Sequence, residues 1–230
     1  MRDHLLPGEP PVALTLRRSS RARRISLRVS GLDGRVTLTV PTGVREAEAL
    51  DFARSKAGWL RDRLRRQPGR VRVAAGAEVP YRGEGVRITP ADGRRVRLHG
   101  DTLLVPGDAD GTAARVRAFL REQARARLAA ASDRHASALG RAHGRITLRD
   151  TRSRWGSCSS AGRLMYSWRL IMAPDPVLDY VAAHEVAHLE EMNHSPAFWR
   201  IVADLCPGFD GPRRWLRENG AALHRYDFGD

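Results

Sequence analysis

The sequence predicts an α+β protein, with a β-rich N-terminal part followed by a mainly helical part that holds a short sheet. Three observations carry this. In the first hundred positions apolar residues recur every second place: Ile25, Leu27 and Val29 alternate with Ser26 and Arg28, and Val36, Leu38 and Val40 with threonines. From about residue 109 they recur at helical spacing instead. Proline and glycine punctuate the strand-like stretch at Pro80, Gly83, Gly85, Pro90, Gly93 and Gly100.

The elements follow in order. Residues 12–16, 24–30 and 35–41 read as strands, with Gly31-Leu32-Asp33-Gly34 as the hairpin connection between the last two. A helix over residues 46–66 aligns Ala49, Phe52, Ala53, Trp59, Leu60 and Leu64, and Gln67-Pro68-Gly69 ends it. A second strand-rich stretch covers residues 71–105. A long Ala- and Arg-rich helix over 109–139 is opened by Asp108 or Asp110 and closed by Gly140. Residues 146–148 form a short strand. Residues 164–171 alternate as another, read as a sheet edge to which an extended peptide can add. Three helices complete the chain, over 174–191, Pro196–Leu205 and 211–223; the first begins at Pro174-Asp175-Pro176, an acidic cap followed by proline. The change of pattern places a domain boundary at residue 108, although the two parts, 1–108 and 109–230, can share one core.

The chain has 230 residues, 42% hydrophobic and 29% charged, which supports a real core and excludes a disordered or membrane-spanning polypeptide. No apolar run is long enough to span a bilayer, and the first residues lack a secretory apolar segment, so a cytoplasmic protein with no membrane partner is expected. Two cysteines, Cys158 and Cys206, make no disulfide framework. Forty basic side chains stand against 26 acidic ones, giving +14, and every basic residue except Lys56 is arginine. The excess is uneven. Residues 1–70 hold 16 basic and 7 acidic side chains, 71–150 hold 15 and 9, and 151–230 hold 9 and 10. A basic region over 1–108 can attract nucleic acid, although a solvated arginine-rich surface explains the same charge. A monomer is expected.

The residues that carry chemistry lie in the neutral third. His184-Glu185-Val186-Ala187-His188 matches H-E-x-x-H inside a well-started helix. Positions four apart share a helix face, so both imidazoles can ligate one metal ion while Glu185 reaches a metal-activated water. A tetrahedral catalytic zinc (Zn2+) needs one more protein ligand. His194 supplies it only if the helix stops first, because six further helical residues turn the chain by about 600°. Met192-Asn193 followed by Pro196 offers that stop; a downstream acid (Asp204, Asp210 or Glu218) is the other source. The histidine spacing agrees with the metzincin pattern, but Glu191 occupies its glycine position and no methionine follows Met192.

Arg154-Trp155-Gly156-Ser157-Cys158-Ser159, the segment from Asp179 to Leu189, and Asn193-His194-Ser195-Pro196-Ala197-Phe198-Trp199 resemble the YgjP-like family of metal-dependent hydrolases. Arg23-Arg24-Ile25-Ser26-Leu27-Arg28-Val29, Val40-Pro41 and Trp59 are similar to that family's β-rich leading region. The resemblance implies a zincin-like catalytic domain, zinc at His184, His188 and His194, Glu185 as general base, and a peptide or protein substrate. The active-site helix also resembles, at motif level, that of SprT and Spartan-like proteases, which act on DNA-bound proteins.

Tyr166, Asn193 and Arg154 are candidate substrate or oxyanion contacts. Cys158 reads as a small buried thiol, and Phe198, Trp199 and Trp215 as packing. His99, His135, His143 and His224 read as surface histidines. The expected function is a zinc metallopeptidase. The alternatives are a nucleic-acid-associated protease and a metal-binding interaction protein without turnover, and the latter leaves Glu185 unexplained.

Overall fold

The computed structural model describes residues 2–31, 34–65 and 69–229. The chain divides into two compact units, Met1–Gly69 and Arg70–Asp230. In the first, strands β1 (Arg2–Leu6), β2 (Val12–Ser19), β3 (Ser26–Val29) and β4 (Val36–Pro41) form one sheet in the order β1-β2-β4-β3. Val12, Leu14 and Leu16 of β2 and Val36, Leu38 and Val40 of β4 are all buried, so the period-two pattern selects the inner face. Helices α1 (Glu46–Ser55) and α2 (Ala57–Arg65) cover it with Ala49, Ala53 and Leu60. The single helix expected over 46–66 is thus two, divided at Lys56. Strand β1 escapes sequence reading because only Leu6 of its five residues is buried. β3 and β4 pair antiparallel as the hairpin reading expects. Leu32 and Asp33 of its turn, and Gln67-Pro68 of the expected helix stop, lie outside the described residues.

The second unit begins with β5 (Val71–Arg72), β6 (Glu78–Tyr81), β7 (Glu84–Pro90), β8 (Arg97–His99) and β9 (Thr102–Val105). The last four form a sheet in the order β6-β7-β9-β8. Helix α3 (Thr112–Leu139) follows. Its start is held by Asp108, whose Oδ1 accepts from the Gly111 N–H at 2.9 Å, and its end by Gly140 at φ 67°. Val116, Leu120, Ala124 and Leu128 recur every fourth residue and are fully buried. They share one apolar core with Val79, Val86, Ile88 and Leu103 of the preceding strands. This moves the boundary: it falls at Gly69, not at residue 108, because strands 78–105 bury their apolar faces in the core of the helical part.

Strands β10 (Ile146–Arg149), β11 (Gly156–Cys158) and β12 (Leu164–Ser167) form a three-stranded sheet ordered β10-β12-β11. A second expectation is corrected here. The run 164–171 is not an edge strand: β12 lies between two neighbours and stops at Ser167, and Trp168–Met172 wind into a 3-10 helix. Trp168 to Met172 are all buried, so the alternation of a half-buried strand does not extend through them.

Helices α4 (Asp175–Ala187), α5 (Pro196–Leu205) and α6 (Asp210–Asn219) complete the unit, and β13 (Tyr226–Asp227) pairs with β5. Several contacts hold α4. The β6–β7 hairpin turns at Arg82 and Gly83, both at positive φ, a two-residue turn of the type that suits twisted strands. Arg82 Nε donates to both Asp175 carboxylate oxygens at 3.0 Å. A Cβ on Gly83 would lie 2.8 Å from Pro174. From α3, His135 Nε2 meets Asp179 at 3.0 Å and Arg134 pairs with the same acid. Among the described residues no helix is long and apolar enough to cross a membrane.

Candidate metal centre

Helix α4 ends at Ala187, so His184 lies in its last turn and His188 is its cap, with α-type backbone. The chain then turns through residues 188–190 and delivers His194, next to Ser195. The Ser195 Oγ accepts from the Phe198 N–H at 3.3 Å, and Pro196 opens α5. A local cap and a proline therefore fix the reversal that returns the third imidazole to the first two.

One nitrogen from each of His184, His188 and His194 lies within 4.8 Å of the others. The Nε2 atoms of His184 and His194 approach to 3.1 Å. Nitrogens bound at about 2.0–2.1 Å to one tetrahedral ion stand about 3.4 Å apart, so this spacing suits a shared divalent cation. His188 Nδ1 lies 3.0 Å from the Glu191 carbonyl oxygen, which can only accept, so Nδ1 carries the hydrogen and Nε2 is left as a lone-pair donor. His184 Nδ1 is buried without a partner. Burial and the two neighbouring imidazoles hold His184 down at about 4, and burial lowers His188 as well. Neutral imidazoles are the ligating form.

The aromatic residues of α5 form one wall of the cluster. Phe198 is fully buried, with its ring 4.5 Å from His188, 4.9 Å from His184 and 4.7 Å from His194. Trp199 stacks on Phe209 and lies beneath the Arg213 guanidinium. The sequence reading assigns these aromatics to packing; they pack against the three imidazoles themselves.

Glu185 is 5% exposed. Burial pushes its carboxyl up to about 8, against the opposing pull of Arg154 and of the Cys158 N–H, which donates to it. That donor is free because of strand phase. The β12 neighbour is bonded through Trp155, whose carbonyl accepts from Ser167 N–H at 2.8 Å, and through Ser159, whose N–H donates to Arg163. The backbone groups of Gly156 and Cys158 therefore face away from β12. Gly156 is needed for space: a Cβ there would lie 2.5 Å from Glu185 Oε1. Sequence reading missed this service of Gly156 and Cys158, because nothing local links them to a residue almost thirty positions later. The Cys158 thiol is raised by burial and by the Glu185 charge and stands outside the histidine group.

The candidate contacts separate. Arg154 is exposed near Glu185, as its effect on that carboxyl requires. Tyr166 is corrected: its side chain is fully buried and its hydroxyl shares a 3.0 Å hydrogen bond with Ser132, so it serves the core and not an oxyanion. Asn193 is exposed, and its amide donates to Glu191. The downstream acids Asp204, Asp210 and Glu218 are not in the ligand group. Three of the histidines expected at the surface are also engaged: His135 is buried against Asp179, His143 meets Asp133 at 2.8 Å, and His224 packs on Trp155.

Comparison with known proteins gives a family model described as "YgjP-like, metallopeptidase domain", which matches residues 23–219. No curated protein matches. Among solved structures the chain is similar to the metallopeptidase zymogen abylysin of Pyrococcus abyssi, at 20% identity and a TM-score of 0.36, over 40% of this chain and 93% of that one. A likeness of that size carries no argument.

Proposed function

The chain belongs to the YgjP-like metallopeptidase family, and from that premise we propose that it is a zinc-dependent peptidase with Glu185 as general base. The observation that carries this is the pairing of a three-imidazole cluster with a buried carboxylate, Glu185, that adjoins His184 in the last turn of α4. His184, His188 and His194 would hold the ion, which when bound acidifies water and polarises the scissile carbonyl. Glu185 removes the proton of the attacking water and passes it to the leaving amine, and its burial, which raises the carboxyl, favours holding that proton between the two transfers. The Cys158 N–H keeps its carboxylate oriented, and Phe198 excludes water behind the imidazoles. Arg154, exposed and cationic, faces the same carboxylate and can meet a substrate carbonyl or carboxylate.

The test replaces Glu185 by Gln. Peptide hydrolysis falls at least about 10²-fold in kcat while zinc stays near one per chain, since an amide cannot accept the proton. His194→Ala, by contrast, loses the zinc on dialysis. A Glu185→Gln chain that cuts peptides at the parental rate would sink the mechanism.

A second reading, compatible with the first, is docking on nucleic acid through the basic leading region. One observation favours it: Arg17, Arg21, Arg23, Arg24 and Arg28 are all exposed, and none has an ion-pair partner among the described residues. Retention of the full chain on DNA should fall steeply with salt and disappear when these arginines become Gln. Retention unchanged by either rejects it.

A further inference from the structure

The sheet β10-β12-β11 has one face in the core and one outside it. Leu148, Leu164 and Tyr166 point inward and are buried. Thr147, Met165 and Ser157 lie side by side in register across the three strands and share the opposite face. The period of two places three arginines on that same face: Arg145 and Arg149 flank Thr147, and Arg163 precedes Met165 by two. The loop between β10 and β11 adds Arg154. Together they line a concavity of about 700 Å³ that contains no acidic side chain.

These four residues are exposed and none forms an ion pair among the described residues, although the charge of Arg154 reaches the Glu185 carboxyl. Some arginines of this unit are paired, Arg82 and Arg127 with Asp175, Arg134 with Asp179, Arg141 with Glu190 and Arg169 with Asp150, and others stand alone; what sets these four apart is that they converge on one concavity. The even charge of residues 151–230 conceals this, because Arg145 and Arg149 lie before that stretch and Asp175, Asp179 and Glu190 within it pair with arginines outside it.

We propose that this arginine-lined concavity is a subsite for acidic side chains of the polypeptide substrate, on one side of the scissile bond. The proposal rests on the peptidase reading above. Two of the lining residues, Arg154 and Cys158, are the groups that adjoin Glu185, so an occupant of the concavity lies beside the catalytic carboxylate. The ligand that spans both places is the chain being cut. Guanidinium groups take carboxylates bidentately, and the hydroxyls of Ser153 and Ser157 in the lining can donate to the remaining acceptors. The lining has no aromatic side chain on which bases could stack, which favours a peptide over single-stranded nucleic acid.

The experiment measures binding by fluorescence anisotropy on the full chain carrying Glu185→Gln, so that nothing is consumed. The probes are a labelled peptide rich in Asp and Glu and its Asn/Gln twin. The acidic peptide should bind at least about tenfold tighter than its twin at low salt, with the advantage shrinking as salt rises. Adding Arg149→Gln and Arg163→Gln should abolish the advantage and leave the twin's affinity unchanged. Lysines at both positions should restore part of it, and thermal melts report folding. Equal affinity for the two peptides overturns the proposal, as does a preference that survives loss of both arginines. A single-stranded oligonucleotide that binds tighter than the acidic peptide, and is lost with the same arginines, overturns it in favour of nucleic acid. Cleavage of the same peptides by the parent chain keeps the two readings apart. Cleavage without acidic preference defeats the subsite alone; arginine-dependent acidic binding in a parent chain that cuts no peptide defeats the peptidase reading, and with it the role of the concavity as a substrate subsite.

Discussion

Glu185 owes its position to two residues that carry no chemistry of their own. The Cys158 N–H donates to its carboxylate, and Gly156 leaves the space the carboxylate fills. Alanine at 156 would put a methyl group 2.5–2.7 Å from three atoms of that side chain, closer than real contacts allow. The glutamate can swing away, so the fold survives and the geometry is lost. Gly156→Ala should therefore lower kcat by about 10²-fold, the scale of a misplacement near 1 Å. Zinc content and KM should change little. Parental kcat in a folded Gly156→Ala chain would show that the carboxylate tolerates displacement.

At the scale of elements, the site is built where a helix ends. Helix α4 is anchored at its start by the Arg82–Asp175 pair and along its length by α3, and it terminates as His188 takes the cap position. Helix α5 starts seven residues later on a serine cap, which returns His194 to the site. The neighbouring sheet supplies the support for Glu185 only if β12 stays between β10 and β11. Ser167 N–H donates to the Trp155 carbonyl at 2.8 Å, the bond that closes this end of the β11–β12 ladder. Proline at 167 removes that donor within a buried strand and should cost about 3 kcal/mol or more. That corresponds to a fall in Tm of about 6–12 °C for a unit of this size, read by thermal melting. An unchanged Tm would return the segment to a free edge.

Across the whole second unit, the last residues are tied back to the part that follows β10. Arg169 is 6% exposed, bonded to both Asp150 carboxylate oxygens and to the carbonyls of Leu223 and Tyr226. Burial raises Asp150, but the bonds and charge of Arg169 prevail and leave it below the usual carboxylate range. Beside this pair, His224 rests on Trp155. Burial and the charges of Arg169 and Arg152 outweigh Asp150 and hold His224 down at about 4. In the unfolded chain it takes a proton near 6.5. Between about 6.5 and about 4 the unfolded state therefore binds the extra proton, and stability is lost as pH falls through that window. His224→Phe keeps the ring and removes the proton, so the acid limb of a stability–pH curve should be shallower by about one proton. A limb of unchanged slope would show that His224 is already charged in the folded protein.

How much of this was legible in the sequence follows from the range of the interactions. The H-E-x-x-H pair, a helix stop before His194 and the proline behind it all lie within thirteen residues, and helical spacing turns such a string directly into geometry; the stop comes earlier than the reading placed it, at Ala187. The α+β character is legible for the same reason, since periods of 2 and 3.6 are local properties. Strand order is not local. Whether 164–171 is an edge or a centre depends on where β10 and β11 pair, and a buried run with no alternation is equally compatible with a 3-10 turn. The boundary at Gly69, the retreat of Tyr166 to Ser132, the support of Glu185 by Gly156 and Cys158, and the convergence of unpaired arginines on one sheet face all depend on contacts between distant segments. Sequence alone picked out the three histidines that the fold brings together and the helices on either side of them. Tertiary structure decided what surrounds them, because a side chain's burial and partners are set by whichever remote segment packs against it.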